Sequence, residues 1–535
     1  MFWPVVDSTV QTDVQLGVGA EEGVDMAIVR AVSHTDGERR RLALASPVTG
    51  LPIDEIDVDG GAEVQLAVAR ARAAQPGWAA RSIGERAALV RGAIDVISAR
   101  RAEIAETIRI ETGKPMAEAL GVEIVPACDF LNYWSGRARR DLRPHRQRLH
   151  GYLRPFKKLH IQYQPLGVVG VITPWNAPFV LTLNPVVQAL LAGNTVVFKP
   201  SEVTPRAGEW VARVLHEAGV PEDVVQVLHG DGETGAALVD SELDKVCFTG
   251  SVATGRKIAS ACAARFVPCT LELGGKDAMI VCADADLERA AAGAVYLSMF
   301  NTGQVCMSVE RIYVVESVAE EFIGLVARKA AEVRYGPGDT DMGPLFWDRQ
   351  LDLVARHVTE ARAAGAEILV GGSAEAGEGL YFQPTVIAGA DHGMRIMTEE
   401  TFGPIAAIVR VADEDEAIRL ANDSRYGLSG SVFTKDPARA RRIAARLTTG
   451  SVVHNDAAVV YGVPEAPFGG RKDSGVGQVN GVHALRGFTH AQPVLIDRWQ
   501  PKRESIWYPY TDKTIRDLDG LIRAFGNRLV RRLLS

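Results

Sequence analysis

Hydrophobic positions are scattered at the start of the chain and become periodic after about residue 60. Residues 1–44 combine glycines and charges without a sustained apolar period, which predicts an N-terminal extension with little core of its own. Between about residues 62 and 112, apolar residues recur every three or four positions, as at Val90, Ile94 and Ile97. This spacing predicts amphipathic helices that pack against a sheet.

From residue 167 the chain alternates short apolar strands with helical segments. Strands are predicted at 168–172, 195–198, 224–228 and 245–248. Parallel strands need a crossover connection, so this alternation predicts a parallel, doubly wound sheet in an α/β fold. A second α/β region follows Cys306. Ligands of doubly wound sheets bind beyond the carboxyl ends of the strands, so we expect functional residues in the turns that follow them.

Residues 159–164 alternate apolar and polar side chains with a period of two. This pattern predicts a half-exposed strand of the kind that often pairs with a partner subunit. A short apolar segment at 491–496 is predicted to pair with it. Together the two segments predict a small β arm.

Residues 500–535 carry a helical pattern of their own. Its apolar positions fall at Ile515, Leu518, Ile522, Phe525, Leu529 and Leu533. The basic residues around them are Arg516, Arg523, Arg528, Arg531 and Arg532. A basic amphipathic helix predicts either peripheral membrane contact through residues 511–535 or packing against the protein's own dimer, and the pattern leaves both open.

Composition narrows the function classes. A chain of 535 residues predicts two or three domains. Its net charge of −7 gives no reason to expect a nucleic-acid partner. None of the six cysteines forms a C-x-x-C pair, which argues against a zinc site or a disulfide framework. Without a basic, apolar leader or an apolar run of about 18 residues, a cytoplasmic protein is expected.

Three side chains in separate turns are candidates for catalysis. Cys306 ends a small-residue turn and is a candidate nucleophile, although a lone cysteine is more often structural. Asn176 stands in a proline-stiffened turn, where its amide can stabilise an oxyanion or serve only the turn. Glu272 lies in an apolar context that raises a carboxyl pKa towards the range of a general base; its alternative is an ion pair.

Two further turns have the character of a nucleotide site. After the second strand, Lys199 and Glu202 can hold ribose hydroxyls, or can belong to a solvated helix N-terminus that Ser201 caps. After the fourth strand, the glycine-rich turn at 249–255 opens a helix, so its backbone N–H groups can meet a phosphate. The turn does not match G-x-G-x-x-G, and by itself it is a weak signal.

Taken in order, these residues resemble the NAD(P)-dependent aldehyde dehydrogenase superfamily. The resemblance covers about residues 45–497. It rests on PWN at 174–176, KPSE at 199–202, FTGS at 248–251 with Gly255 after it, LELGGK at 271–276, GQVC at 303–306, EETFGP at 399–404 and PFGG at 467–470. Each motif is weak alone, but the ordered set is specific.

The resemblance implies an α/β fold with a Rossmann-type cofactor domain, an α/β catalytic domain and a small β oligomerisation arm. The predicted parts are an N-terminal extension at 1–44, an NAD-binding domain at 45–150 and 166–274, a catalytic domain at 275–475, the arm at 151–165 and 486–499, and a C-terminal amphipathic extension at 500–535. In this family the arm builds a sheet between subunits, so a homodimer or homotetramer is implied.

The resemblance also implies roles. Cys306 would attack an aldehyde carbonyl, Asn176 would hold the oxyanion, and Glu272 would activate water to hydrolyse the thioester. The implied cofactor-binding residues are Ile172, Thr173, Pro174, Trp175, Lys199, Ser201, Glu202, Gly250, Ser251, Gly255, Leu273, Glu400 and Phe402. Because Glu202 would repel a 2′-phosphate, NAD is expected, with NADP as the alternative. Family members that transfer the acyl group to coenzyme A usually lack the glutamate at position 272, so hydrolysis to a free acid is expected.

The substrate tunnel implied by the resemblance is mostly apolar. Its residues would be Ala177, Leu181, Asn184, Phe300, Val305, Met307 and Phe468. Many succinate-semialdehyde enzymes of the family have an arginine where Asn184 stands, so an uncharged aliphatic or aromatic aldehyde is expected. A semialdehyde is the alternative if another arginine, such as Arg311, reaches the tunnel.

Two rival classes are a non-redox thiol hydrolase and a catalytically silent protein of the same fold. A hydrolase would need a histidine base, and no histidine lies in a recognisable motif. It would also leave the two nucleotide-like turns unexplained. The intact trio Asn176, Glu272 and Cys306 argues against a silent protein.

Overall fold

The computed structural model describes residues 32–36, 39–499, 501–504 and 506–534. Most of the predicted N-terminal extension therefore lies outside the described residues, as does the side chain of Leu533. The described chain forms two α/β domains and a three-stranded arm. The predicted fold class is confirmed.

The strands build four sheets. In chain order they are β1 (Val32–Asp36), β2 (Arg39–Ala45), β3 (Pro52–Asp57), β4 (His145–Gln147), β5 (Lys157–Pro165), β6 (Val168–Ile172), β7 (Thr195–Lys199), β8 (Val225–Val227), β9 (Lys245–Thr249), β10 (Cys269–Glu272), β11 (Asp277–Val281), β12 (Val309–Val315), β13 (Glu367–Val370), β14 (Thr385–Ala388), β15 (Ile405–Val411), β16 (Gly430–Phe433), β17 (Val453–His454), β18 (Gly475–Val476) and β19 (Thr489–Asp497).

The helices cover the two large sheets on both faces. In chain order they are α1 (Gly61–Ala80), α2 (Ile83–Thr112), α3 (Met116–Glu118), α4 (Val125–Leu142), α5 (Pro178–Ala192), α6 (Pro205–Glu217), α7 (Gly232–Asp240), α8 (Val252–Ala264), α9 (Leu287–Met299), α10 (Glu316–Ala331), α11 (Asp348–Ala363), α12 (Arg395–Thr398), α13 (Glu414–Asn422), α14 (Pro437–Ala444), α15 (Gly481–Arg486), α16 (Asp512–Gly526) and α17 (Arg528–Leu534). A π-helical stretch, Ala119–Ile124, joins α3 to α4, and a 3-10 turn, Phe300–Gly303, follows α9.

The first domain is built on a six-stranded sheet in the order β18-β10-β9-β6-β7-β8. Its pairs are parallel except that of β10 with the edge strand β18. Helices α1, α7 and α8 pack on one face, and α2, α4, α5 and α6 on the other. Because both faces are covered, β6 and β7 are buried along their whole length. The predicted doubly wound parallel sheet is confirmed.

The second domain is built on a seven-stranded sheet in the order β13-β14-β15-β12-β11-β16-β17. Only the edge strand β13 pairs antiparallel within it. Helices α9 and α10 cover one face, and α11, α13 and α14 cover the other. The chain passes from the first sheet to the second between Glu272 and Asp277, so β10 of the first domain leads directly into β11, the first strand of the second sheet.

The arm is a three-stranded sheet in the order β19-β5-β4. Strands β5 and β19 pair antiparallel along their full lengths, which confirms the predicted pairing of 159–164 with 491–496. Strand β4 was not predicted, because its residues His145–Gln147 lie in a basic stretch without alternation. The arm therefore begins earlier than residue 151, which is the start predicted from the sequence.

The predicted boundary at residue 44 is corrected by the pairing of β2 with β3. Leu42 and Leu44 of β2 are buried with Ile56 of β3. The side chain of Arg40 bonds Asp231, which ties this sheet to the first domain. The arginine run before Leu42 obscured a period-two strand, so residues 39–44 belong to the body of the protein.

The C-terminal extension is helical, as the apolar spacing predicts. Thr511 caps α16 by accepting a hydrogen bond from the backbone N–H of Thr514, and Asn527 separates α16 from α17. In the part of the chain that the structure describes, no helix is both long enough and apolar enough to span a bilayer.

Candidate active site

Cys306 follows a tight turn between α9 and β12. Asn301 and Thr302 have φ values of 53° and 59°, a left-handed conformation that is rare for a β-branched residue. Gly303 has φ 72°, and a Cβ there would lie 2.0 Å from the carbonyl oxygen of Gly403, so only glycine fits. Such a turn persists only where its surroundings hold it.

The turn's own side chains bond backbone groups of both domains. The Asn301 amide Nδ2 donates to the backbone oxygens of Asn176 (3.0 Å) and Gln304 (3.1 Å). The Thr302 hydroxyl donates to the Gly343 oxygen, and the Gln304 carboxamide oxygen accepts from the Phe346 N–H. These bonds set the position of the cysteine at the end of the turn.

Asn176 is fixed against the same turn. Its side-chain Nδ2 donates to the Gln304 oxygen at 3.0 Å. Its backbone oxygen accepts from the buried Lys114 Nζ at 3.1 Å as well as from Asn301. The amide has two N–H groups, so the second one is available to a ligand beside Cys306.

Glu272 ends β10 and is 5% exposed. Neither of its carboxyl oxygens has a hydrogen-bond partner among the described residues. Burial away from water therefore raises the pKa of Glu272 well above its usual value. The ion-pair alternative does not apply, because no cation reaches this carboxyl in the described chain.

The Cys306 thiol is also poorly solvated. Burial raises the pKa of Cys306 far above that of a free cysteine, and the nearby carboxyl groups of Asp277, Glu400 and Glu272 raise it further. A raised pKa favours the protonated thiol, so nucleophilic attack needs a base to take its proton.

A cavity of about 290 Å³ brings the three catalytic candidates together. Its lining consists of Pro174, Trp175, Asn176, Leu181, Thr249, Gly250, Ser251, Glu272, Leu273, Gly274, Cys306, Trp347, Gln350, Leu353, Glu400 and Phe402. No lysine, arginine or histidine stands among these residues. The structure thus joins Asn176, Glu272 and Cys306, which are far apart in sequence, in one cavity.

A second cavity of about 600 Å³ opens from the first, with which it shares six lining residues. Of the predicted cofactor residues it is lined by Ile172, Thr173, Pro174, Trp175, Lys199, Ser201, Glu202, Gly250 and Ser251. Leu273, Glu400 and Phe402 line the first cavity instead. Gly255 lines neither, because its space is filled by Leu273, whose Cδ2 would lie 2.5 Å from an added Cβ.

The two cavities have the shape and chemistry that a dinucleotide needs. At the far end, Lys199 Nζ donates to the oxygens of Pro200 (2.9 Å) and Gly230 (2.8 Å) and lies 3.6 Å from Glu202. In the middle, Ser251 caps α8, so the helix N-terminus faces the cavity. At the near end, Glu400 accepts from the Gly275 N–H and lies beside Phe402.

Aromatic rings border the junction of the cavities. The ring of Trp175 meets those of Phe402 and Phe346 edge to face, at centroid distances of 5.4 and 5.8 Å. Gln350 holds the Phe402 segment, because its Nε2 donates to the oxygens of Thr401 and Phe402. The junction is therefore a rigid apolar wall.

Six of the seven predicted substrate residues separate into three groups. Leu181 lines the catalytic cavity, and Ala177, which follows Asn176 in the sequence, is buried. Val305, Met307 and Phe468 form an apolar cluster with Cys306 and Tyr461. Phe300 instead lines a separate cavity with Glu118 and Tyr296.

Asn184 lines none of these cavities, because its side chain is completely buried in a polar network. Its Oδ1 accepts from Trp134 Nε1 and Gln188 Nε2, both at 2.9 Å. Its Nδ2 donates to Asn480 Oδ1 (3.1 Å) and to the Tyr461 hydroxyl (3.3 Å). The expectation that Asn184 forms part of the tunnel wall is corrected: it supports Tyr461, which does face the cysteine cluster.

Arg311 also stays away from the site. Its guanidinium is buried and donates to the backbone oxygens of Lys276, Leu420 and Ala421. All three of these hydrogen bonds lie within the second domain. Arg311 therefore does not supply the cation that the free carboxylate of a semialdehyde substrate would require.

Sequence reasoning missed two parts of the lining. The first is α7, from which Gly232, Gly235 and Asp240 line the cofactor cavity. The turn before it, after β8, carries two glycines and an aspartate, a signal that inspection of every post-strand turn would have found. The second is the start of α11, with Trp347 and Gln350. That segment follows no predicted strand, so nothing local marks it.

Known proteins resemble this chain over most of its length. A sequence model of the aldehyde dehydrogenase family matches residues 34–494. A Methylomonas protein named 4,4'-diapolycopene aldehyde oxidase is 37% identical over 482 residues, 90% of each chain. A Mycolicibacterium smegmatis protein provisionally named succinate-semialdehyde dehydrogenase, with NADP(+) in its name, is 37% identical over 90% of this chain and 93% of its own.

Solved structures agree in fold. The Mycobacterium tuberculosis aldehyde dehydrogenase, crystallised in complex with NAD+, is 35% identical and superposes with a TM-score of 0.81. The match covers 85% of this chain and 94% of that one. Lactaldehyde dehydrogenase from Escherichia coli, at 34% identity, has a TM-score of 0.82 over 85% of this chain and 95% of its own.

Proposed function

The chain belongs to the aldehyde dehydrogenase family and is an aldehyde-oxidising oxidoreductase, and on that basis we propose that it oxidises an uncharged, apolar aldehyde to the carboxylic acid with NAD. The observation that carries the proposal is one cavity that holds a cysteine, an amide donor and a buried carboxyl without a partner, and that opens into a dinucleotide-sized cavity. Each group has one role in a covalent mechanism.

The first step is attack on the aldehyde carbon by the Cys306 sulfur. Since burial raises the pKa of this thiol, its proton must pass to a base, and Glu272 lines the same cavity. The carbonyl oxygen gains negative charge, which the Asn176 amide and the backbone N–H of Cys306 would stabilise. The product of this step is a thiohemiacetal.

The cofactor would be held by residues at both ends of the joined cavities. Lys199 and Glu202 would bind the adenine ribose, Ser251 at the start of α8 would meet the pyrophosphate, and Glu400 would bind the nicotinamide ribose. Bound NAD would supply the acceptor for the hydride that leaves as the thiohemiacetal becomes a thioester. Glu202 would repel a 2′-phosphate, so NAD is preferred over NADP.

Hydrolysis of the thioester completes the reaction. Glu272 would take a proton from water, which attacks the thioester carbon and releases the acid from Cys306. A carboxyl with a raised pKa is a stronger base once ionised than an ordinary glutamate. The buried, unpartnered position of Glu272 supports this role and favours water over coenzyme A as the acyl acceptor.

The apolar surroundings of Cys306 support the substrate class. Val305, Met307, Phe468 and Leu428 pack around it, and no cation lines the catalytic cavity in the described chain. A succinate-semialdehyde substrate is the second candidate, because several relatives carry that provisional name. Its free carboxylate would be buried here without a positive partner, which is costly. A thiol hydrolase with a histidine base is disfavoured, since none of the residues lining the cavity is a histidine.

The proposal extends to the assembly and its setting. Strand β19 is the edge strand of the arm, with Leu495 and Ile496 exposed, and an exposed strand of this kind supports pairing with a second subunit. A homodimer or homotetramer in the cytoplasm is therefore proposed.

The test is NADH absorbance with octanal, benzaldehyde and succinate semialdehyde, with NAD and NADP side by side, for the wild type and Cys306→Ala. We expect turnover of octanal or benzaldehyde with NAD, at least about tenfold faster than with succinate semialdehyde, and no turnover in the variant. A preference for succinate semialdehyde would contradict the substrate class. Full activity of Cys306→Ala would contradict the covalent mechanism.

A further inference from the structure

The C-terminal extension presents an apolar surface that the body of the protein does not cover. On α16, Ile515, Leu518, Ile522 and Phe525 recur every three or four residues and therefore share one face. Ile522 is 70% exposed, and Leu529 of α17 is 69% exposed. Among the described elements, only α17 packs extensively against α16. A continuous exposed apolar face of this kind marks an interaction surface.

Aromatic residues precede this face. Trp499, Trp507, Tyr508 and Tyr510 are all exposed, between the end of β19 and the start of α16. Tryptophan and tyrosine combine an apolar ring with a polar group, and they concentrate where an apolar phase meets water. Their exposure suits a boundary between lipid and water better than free solution.

The two helices together carry an excess of positive charge. Between Thr511 and Leu534 the sequence holds six cations and three carboxylates. Two of the cations are paired within α16, Lys513 with Asp517 and Arg523 with Asp519. Helix α17 contains three arginines and no acidic residue. The positive excess is therefore concentrated at the end of the segment.

A second cluster of cations lies where the extension leaves the arm. A cavity of about 610 Å³ there is lined by Arg146, Arg148, Arg154, Lys157, Lys158 and Arg498. Lys157 pairs with Asp497 and with Glu504 of the extension, which ties the extension to β5. The described chain supplies no salt-bridging carboxylate to the other five. Positive charge thus stands at both ends of the aromatic and apolar surface.

We propose that residues 506–534 dock onto an anionic lipid surface. The apolar face of α16 and α17 enters the boundary between headgroups and acyl chains, and the arginines meet lipid phosphates. Charge argues for lipid over a second copy of the segment, because each copy carries six cations against three carboxylates, so two copies packed face to face would bring together surfaces of the same net charge. An apolar aldehyde dissolved in the bilayer would then be concentrated near the enzyme, a consequence that rests on the proposed function.

Vesicle co-sedimentation of the full-length protein tests the docking without using activity. The vesicles are phosphatidylcholine with phosphatidylglycerol, and phosphatidylcholine alone. The variants are Ile515→Gln with Ile522→Gln on the apolar face, and Arg528→Gln with Arg531→Gln and Arg532→Gln on α17. Leu66→Gln is the matched control, since Leu66 is an exposed apolar residue of α1.

We expect the wild type and Leu66→Gln to sediment with the anionic vesicles and not with the neutral ones. Each variant should bind the anionic vesicles at least about tenfold more weakly than the wild type. The apolar-face variant loses apolar area buried in the lipid, and the arginine variant loses three basic residues, each of which contributes about fivefold to binding. Wild-type protein that stays in the supernatant, or that binds neutral vesicles equally well, overturns the proposal. A second copy of the chain would give a different pair of results: wild-type protein that does not bind vesicles, and an apolar-face variant with a lower mass than the wild type in sedimentation equilibrium. That outcome would also overturn the proposal.

Discussion

At the scale of single residues, the proposed chemistry depends on two ionisable groups whose pKa values are raised by their surroundings. Glu272 has no hydrogen-bond partner in the described chain, and burial raises its pKa well above the usual value. The pKa of Cys306 is raised by burial and by the carboxyls of Asp277, Glu400 and Glu272. An unpaired buried carboxyl is costly to the fold, so its presence here favours a catalytic role.

Removal of the carboxyl should separate the two halves of the reaction. In Glu272→Gln we expect steady-state NADH formation to fall by about a hundredfold or more, because a positioned general base contributes about that much. Rapid mixing with NAD and octanal should still reveal a burst of NADH approaching one per active site, followed by slow hydrolysis. The burst itself should be slower than in the wild type, because Glu272 is also the proposed base for the Cys306 proton. Unchanged steady-state turnover would remove Glu272 from the mechanism, and Cys306→Ala serves as the control without a burst.

The raised pKa of Glu272 also predicts a pH dependence of stability. The folded state holds this proton more tightly than the unfolded state, so the unfolded chain ionises first as pH rises. The wild type therefore loses stability from about pH 4, the unfolded value, up to the folded pKa. Glutamine cannot ionise, so thermal unfolding of Glu272→Gln relative to the wild type should shift to higher temperature as pH rises from about 5 to about 8. If the difference in unfolding temperature between the variant and the wild type stays constant across this pH range, the raised pKa of Glu272 is contradicted.

At the scale of elements, a buried ion pair positions the start of α5. Lys114 Nζ lies 2.8 Å from Glu123 Oε1, and both side chains are fully buried. The other oxygen of Glu123 accepts from the backbone N–H groups of Phe179 and Val180, which α5 itself leaves unpaired. Lys114 also donates to the Asn176 oxygen. Glu123 stands in the π-helical stretch, which turns its carboxylate towards α5.

Breaking this pair should cost both stability and activity. Glu123→Gln leaves the Lys114 charge buried without a partner, so we expect the free energy of unfolding to fall by about 3–5 kcal/mol in urea titration. The double variant Lys114→Met with Glu123→Gln should recover part of that loss, because no unpaired charge remains. Since Asn176 would be less well held, kcat should fall in both variants while NAD binding is retained. A single variant as stable as the wild type would show that the pair is not required.

At the scale of the whole molecule, the site exists because two sheets meet end to end. Asn176 follows β6 and Glu272 ends β10 in the first domain, while Cys306 precedes β12 in the second. The cofactor cavity opens along the first sheet and ends at this meeting point. Beyond the two domains, the arm and the C-terminal extension carry exposed apolar residues and no part of the catalytic cavity.

The arm should control self-association. Leu495 of β19 is 55% exposed, and an aspartate there would bury a charge if the arm pairs with a second subunit. In sedimentation equilibrium we expect the dissociation constant of the Leu495→Asp oligomer to be at least about tenfold higher than that of the wild-type oligomer. Leu66→Asp, on an exposed face of α1, should behave as the wild type does. Equal association of both variants would exclude the arm as the interface.

Sequence alone was sufficient for the elements that carry a clear hydrophobic period and for the position of several turns that follow strands. The period of two at 159–164 and 491–496, the buried strands from 168 to 248 and the turns that hold Asn176, Lys199 and Ser251 are all local patterns. A local pattern survives into the fold because it depends on neighbouring residues and on the burial of each face. The ordered motifs then indicated the family, which the matches to known proteins confirm.

The tertiary structure decided what each side chain does within the fold. Asn184 and Arg311 lie in hydrogen-bond networks, and Leu273 packs against Gly255. Trp347 and Gln350 line the catalytic cavity. The tertiary structure also paired Lys114 with Glu123 beneath Asn176 and revealed β2 within a run of arginines. These outcomes depend on contacts between residues far apart in the chain, whose geometry is set by sheet order and helix packing. Periodicity specifies which face of an element is buried, but only the packed fold specifies which side chains meet there.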